Sequence, residues 1–246
     1  MDLNYTECYN FTINYILGGF KVDIKLNFVE KGSGDVLVLL HGNGEDTSYF
    51  VHQIEYFSRF YRVIAIDTRG HGLSPRGTAP FTIAQFAEDL YNFFVQHSIE
   101  KANILGFSDG GNIALTFALK YPQMVQKLIL NGANLNPQGV KRVYQKPIEE
   151  AYKRYVNNAE GNERYKKKAE LYGLMVNEPD FAPEDISALY IPTLVIAGKK
   201  DMIKTTHTKL IAKSLPCAQL SIIDGDHFIA NGNSDEFNRV VHQFLK

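Results

Sequence analysis

The sequence predicts an α/β protein built on one principal core, and three observations carry that expectation. Short apolar runs at 36–40, 63–66, 102–105, 127–130 and 193–197 are each bounded by turn residues, the pattern of strands covered on both faces of a parallel sheet. The stretches between the early runs, 48–60, 83–94 and 112–119, repeat apolar residues every three or four positions, as helices lying on such a sheet do. A chain of 246 residues, 45% hydrophobic and 22% charged, is long enough and apolar enough for one sizeable core with decoration.

Taken in order, residues 11–17 and 22–29 partly alternate and are separated by Gly18-Gly19, which reads as a hairpin forming an antiparallel edge. The first twenty residues carry acids and lack both a basic region and a continuous apolar stretch, so neither a secretory signal nor a membrane span is expected there. A cytoplasmic location follows as the expectation. Cys8 and Cys217 sit in neither C-x-x-C nor metal-ligand spacing, which fits a reducing compartment, and the tripeptides N-Y-T and N-F-T then match the glycosylation pattern by chance. From 36 onward strand and helix alternate, and the loops at the carboxyl ends of the strands converge on a crevice.

The alternation breaks between 136 and 187. That span holds no buried-strand run but carries charged helical stretches such as "KPIEEAYKRYVNN" and "NERYKKKAELYGLM", and it reads as a helical cap inserted into a core formed by 1–135 and 188–246. Its basic residues are interleaved with glutamates, so Lys166, Lys167 and Lys168 read as a solvated face. With a net charge of −1 as well, no nucleic-acid partner is expected.

The chemistry centres on "NILGFSDGGNIAL". Gly106-x-Ser108-x-Gly110 follows a strand and opens a helix, the setting of a nucleophile elbow that turns sharply and presents its middle side chain. The flanking glycines are needed because a Cβ there would collide with the neighbouring strand and helix. The elbow also sets Ser108 at a helix N-terminus, where free N–H groups favour developing negative charge. A serine hydroxyl needs a base held by a third group. Of seven histidines, His227 in "IIDGDHFIANG" follows a strand-like segment near the C-terminus, where the chain order serine, acid, histidine puts the base. Asp201 in "GKKDMI" follows the run 193–197 and is the leading acid. Asp224 and Asp226 are rivals, but Asp226 adjoins His227 and can hardly reach its ring nitrogen. The loop "NGANLN" offers no acid. For an oxyanion hole, "VLLHGNGED" supplies a glycine-rich loop at a strand end, with the backbone N–H of Asn43 (or of Gly44) as one donor and that of Asp109 as the other.

The elbow "GFSDGG", the loop "HGNG", the segment "DTRGHGLS", "GKKD" and "GDHF" occur in one order over nearly the whole chain, which resembles the α/β-hydrolase-fold serine hydrolases. "GFSDGG" followed by "LILNGAN" is also similar to the biphenyl-hydrolase-like, or valacyclovir-hydrolase, branch. The resemblance implies a mainly parallel eight-stranded sheet flanked by helices, with a short cap between the strand ending near Asn131 and that starting near Thr193. It also implies cleavage of a small-molecule carboxylic ester through an acyl-enzyme, with no cofactor or metal. H-E-x-x-H, a P-loop and a strand-following G-x-G-x-x-G are absent from the sequence. Thioester, lactone, amide or carbon–carbon bond hydrolysis, acyl transfer, and a non-hydrolytic receptor on the same fold are the alternatives. Asp109 carries two readings: an acid favoured by the dipole of its helix, or a carboxylate that recognises the amino group of an aminoacyl ester, as the branch resemblance implies.

Overall fold

The computed structural model describes residues 23–246 and, before them, two strands of two residues each, β1 (Ile16–Leu17) and β2 (Phe20–Lys21). These two pair antiparallel with each other in a sheet of their own. The expectations placed on Cys8, on the two tripeptides and on the remainder of the N-terminal segment lie outside the described residues.

The main sheet begins with β3 (Phe28–Lys31) and β4 (Val36–Leu40), followed by helix α1 (Val51–Phe57), β5 (Arg62–Ile66), α2 (Ile83–Gln96), β6 (Ala102–Phe107), α3 (Asp109–Lys120) and β7 (Val125–Asn131). Two helices, α4 (Arg142–Asn157) and α5 (Glu163–Asn177), come next. The chain then returns through β8 (Thr193–Gly198), α6 (Thr205–Ser214), β9 (Ala218–Ile223), α7 (Ile229–Gly232) and α8 (Ser234–Leu245). The strand order is β3-β5-β4-β6-β7-β8-β9, with only β3 antiparallel to its neighbour. The resemblance implies eight strands; the sheet has seven among the described residues, because β1 and β2 bond to each other and not to it.

The antiparallel edge expected from the hairpin at 11–29 is formed differently. β3 pairs with β5, and the edge is fastened by Arg62, whose guanidinium holds Glu30 at 2.8 and 3.0 Å. The chain just before β3 is drawn elsewhere. Asp23 accepts from Arg69 at 2.7 and 3.1 Å and from the backbone of Thr78 and Ala79, and these donors, the guanidinium foremost, hold its carboxyl well below the usual carboxylate range. Arg69 is fully buried and also binds both oxygens of Asp89, which compensates a charge that would otherwise be costly inside the protein.

Strand alternation sorts the core into two layers. Val38, Leu40, Ile64, Ile66, Ile104, Leu128 and Leu130 face α2, α3 and α6, whereas Leu37, Leu39, Val63, Ala65, Leu105 and Ile129 face α1 and α8. Each valine, leucine or isoleucine among them contributes about 1.5–3 kcal/mol by leaving water. Because the helix after β4 lies on one face and the helix after β6 on the other, the connections leaving these two adjacent strands diverge at their carboxyl ends. That divergence opens the crevice in which open α/β sheets place their sites. Phe50 and Phe107 are fully buried parts of the core.

Candidate active site

Ser108 stands between β6 and α3 with φ 52° and ψ −119°, a backbone conformation that costs a non-glycine residue about 1–3 kcal/mol and persists only where the surroundings fix it. They do so here through hydrogen bonds on both sides of the turn. The Ser108 N–H donates to Asn131 O of the neighbouring strand at 2.8 Å, and its carbonyl accepts from Gly111 and Asn112 at 2.8 and 3.1 Å. A Cβ on Gly106 would run into the Gly110 carbonyl, and one on Gly110 into the Leu40 carbonyl of β4. The helix can therefore approach the sheet closely only if both positions lack side chains.

His227 and Asp201 arrive from two other strand ends. Asp201 lies in the loop after β8, and His227 in the loop after β9. The His227 ring spans 2.7 Å from Nδ1 to Asp201 Oδ1 and 3.0 Å from Nε2 to Ser108 Oγ. A carboxylate at Nδ1 favours the proton on that nitrogen and leaves Nε2 as the acceptor for the serine hydroxyl. His227 is 5% exposed and Asp201 2%. The rival acids are engaged elsewhere: Asp226 accepts the Phe228 N–H at 2.8 Å, and Asp224 pairs with Lys199 at 2.6 Å. The loop after β7 passes against the imidazole at Gly132, where a Cβ would press on the His227 ring. Lys141 Nζ donates to the Asp201 carbonyl at 2.5 Å, fastening the acid's loop to the start of α4.

The loop after β4 is held from below by His41. Its Nε2 accepts the Thr68 N–H at 3.0 Å, and burial pushes its imidazole below the ordinary histidine value, which favours the neutral ring. Among the described residues, the backbone N–H groups of Asn43 and Asp109 donate to no protein acceptor. Asn43 belongs to the loop after β4, and Asp109 is the first residue of α3, just beyond the carboxyl end of β6. The Asp109 side chain is buried. Its Oδ2 accepts from Asn43 Nδ2 at 2.8 Å and its Oδ1 from Asn112 Nδ2 at 3.4 Å, while burial raises its carboxyl above the ordinary aspartate value.

Sequence reasoning passed over Glu45. Its Oε2 accepts the Gly42 N–H at 3.1 Å, and burial pushes its carboxyl up to about 7. The available signal was an acid directly after a glycine-rich strand-end loop, the first of the pair Glu45-Asp46. The other histidines stand apart from Ser108: His207 accepts the Leu135 N–H, His242 meets Tyr56, and His97 packs on Phe28 and Phe93. Helix α5 is tied to the loop after β5 by Arg76, which binds Glu170 at 2.6 and 2.9 Å, and to the loop after β4 by Asn43 Nδ2, which donates to Leu171 O at 2.9 Å.

A family model described as "alpha/beta hydrolase fold" matches residues 35–148. The chain is 26% identical to the human serine hydrolase BPHL, over 91% of this chain and 84% of that protein. It is 25% identical to 3-oxoadipate enol-lactonase 2 of Acinetobacter baylyi, over 91% of this chain and 94% of the relative. Among solved structures, the enol-lactonase from Burkholderia xenovorans LB400 superposes with a TM-score of 0.75 at 21% identity, covering 90% of this chain and 96% of the other. That last likeness is one of fold.

Proposed function

The chain is an α/β hydrolase, and from that premise we propose that it is a serine hydrolase cleaving a small-molecule carboxylic ester through an acyl-enzyme. One observation carries the reading: a single imidazole bridges Ser108 Oγ and Asp201 Oδ1 at hydrogen-bond distance on both sides. The relatives named as a serine hydrolase and as an enol-lactonase favour acyl chemistry.

In this mechanism Ser108 Oγ attacks the ester carbonyl carbon as its proton passes to His227 Nε2, and Asp201 stabilises the resulting imidazolium. The carbonyl oxygen takes the negative charge and is received by the N–H groups of Asn43 and Asp109. Collapse breaks the bond to the alcohol oxygen, which leaves with the proton from His227. Water then attacks the acyl-serine, giving up a proton to the same nitrogen, and the second collapse releases the acid and returns the proton to Ser108. Residues 136–187, including α4 and α5, serve as the cap over this centre, a role supported by the contacts of Glu170 and Leu171 with the loops after β5 and β4. No helix among the described residues is long and apolar enough to cross a membrane.

The test is labelling with a fluorophosphonate, in wild type and Ser108→Ala, followed by turnover of acyl esters of graded length. Labelling lost in the variant together with ester turnover in the wild type is the expected result. Labelling with no turnover of any ester would favour a receptor, and labelling that survives Ser108→Ala would remove the serine from the reaction.

A further inference from the structure

The Asn43 carboxamide is shared between two parts of the molecule that meet only at the site. Its Nδ2 donates one hydrogen to Asp109 Oδ2 at 2.8 Å and the other to the backbone carbonyl of Leu171, in α5, at 2.9 Å. In sequence Asn43 stands 66 residues from the first partner and 128 from the second. An NH2 group has two hydrogens, so both are committed. The acceptor carboxylate is buried, which makes the bond to it costly to leave unmade, and Leu171, whose carbonyl takes the second hydrogen, is a buried residue.

The two residues joined by the shorter bond are the same two whose backbone N–H groups are assigned to the oxyanion. We propose that the Asn43 side chain is a positioning residue: it sets the spacing of the two oxyanion donors and makes that spacing depend on the seating of α5. The inference rests on the serine-hydrolase reading above. Donors must point at the place the oxyanion will occupy, and each contributes most when it is held there beforehand. Asn43 sits on the loop after β4 and Asp109 opens α3 after β6, and among the described residues no backbone hydrogen bond joins the two. The side-chain bond does. The third partner, Leu171, adjoins Glu170, whose pair with Arg76 fixes the same point of α5. A shift of α5 would thus be felt first at the amide that aligns the donors.

Three variants test this: Asn43→Ala, Asn43→Asp, and the exchange Asn43→Asp with Asp109→Asn. The exchange restores a donor and an acceptor between positions 43 and 109 but offers Leu171 O no hydrogen. Measurements are kcat and KM on the ester best turned over by the wild type, affinity for a trifluoromethyl ketone that forms a tetrahedral adduct, and hydrogen exchange of peptides covering α5. Asn43→Ala should lower kcat about tenfold or more with KM within about twofold, because the contact acts on the transition state. Ketone affinity should fall by a similar factor, and exchange in α5 should quicken. Asn43→Asp, which sets two carboxylates together, should lose more, and the exchange pair should recover part of kcat while α5 stays loosened. An Asn43→Ala enzyme with wild-type kcat and ketone affinity, unchanged α5 exchange, or an exchange pair no better than Asn43→Asp would each overturn the proposal. A wild-type protein that takes no fluorophosphonate and turns over no ester would overturn the serine-hydrolase reading and this inference together.

Discussion

Asp201 Oδ1 lies 2.7 Å from His227 Nδ1 and 2.8 Å from the backbone nitrogen of Ile203, so one carboxylate oxygen serves both the imidazole and the turn that carries the acid. The other oxygen is buried and has no hydrogen-bond partner among the described residues. In the proposed mechanism, replacing Asp201 by Asn removes the charge that stabilises the imidazolium and allows the wrong tautomer. The expected result is a fall in kcat of about 10³–10⁴-fold on a nitrophenyl ester. A loss under about tenfold, in a protein that melts normally, would take Asp201 out of the reaction.

The elbow makes a prediction about stability that is independent of any substrate. Gly106→Ala and Gly110→Ala each drive a Cβ into a backbone carbonyl that cannot rotate away. Each should cost about 3 kcal/mol or more in urea unfolding, or yield no soluble protein. Gly44 is the contrast: a Cβ there meets nothing within 4 Å, and its φ of +76° is the sole strain. Gly44→Ala should cost only about 1–2 kcal/mol. Equal costs at all three positions would contradict the close approach of α3 to the sheet.

Glu45 gives a pH dependence whose sign is fixed by burial. Its carboxyl is raised from 4.5 to about 7, so the folded protein binds the proton more tightly than the unfolded chain between those values. The stability this group contributes is fully present below the unfolded value and is lost as pH rises through the folded one. Glu45→Gln carries no such proton. The melting temperature of the variant relative to wild type should therefore be higher at about pH 8 than at about pH 5. An unchanged difference across that interval would mean that Glu45 is solvated.

Asp109 distinguishes internal positioning from substrate recognition. Both of its oxygens already accept protein amides, Asn43 at 2.8 Å and Asn112 at 3.4 Å, and burial raises its carboxyl. Asp109→Asn should therefore depress kcat/KM for an aminoacyl ester and for its deaminated analogue by the same factor. A loss confined to the amino-bearing ester would instead assign the carboxylate to an ammonium group.

Much of this was written locally in the chain. The runs at 36–40 and 193–197 became β4 and β8 with at most one residue added, because a strand covered on both faces is apolar throughout and ends where turn residues begin. The helix expected at 48–60 divided into a 3-10 turn at Thr47–Phe50 and α1, with Asp46 accepting the Ser48 N–H at the start. β1 and β2 pair on either side of Gly18-Gly19 as the hairpin expectation has it, but the antiparallel edge of the main sheet is β3, which starts only at the end of the segment expected to supply it. β3 is exposed along three of its four residues and owes its place to pairing with β5 across more than thirty residues, and no short window of sequence contains that partner.

The sequence by itself determined the elbow, the alternation of strand and helix, and the strand ends from which an acid and a histidine could come. Those features depend on the sterics and patterning of neighbouring residues. Only the tertiary structure decided that Asp201, rather than Asp224 or Asp226, meets the imidazole, that burial lifts Glu45, and that one Asn43 amide joins Asp109 to α5. Desolvation and hydrogen bonding between distant loops depend on where remote segments come to rest, and that follows from packing the whole chain.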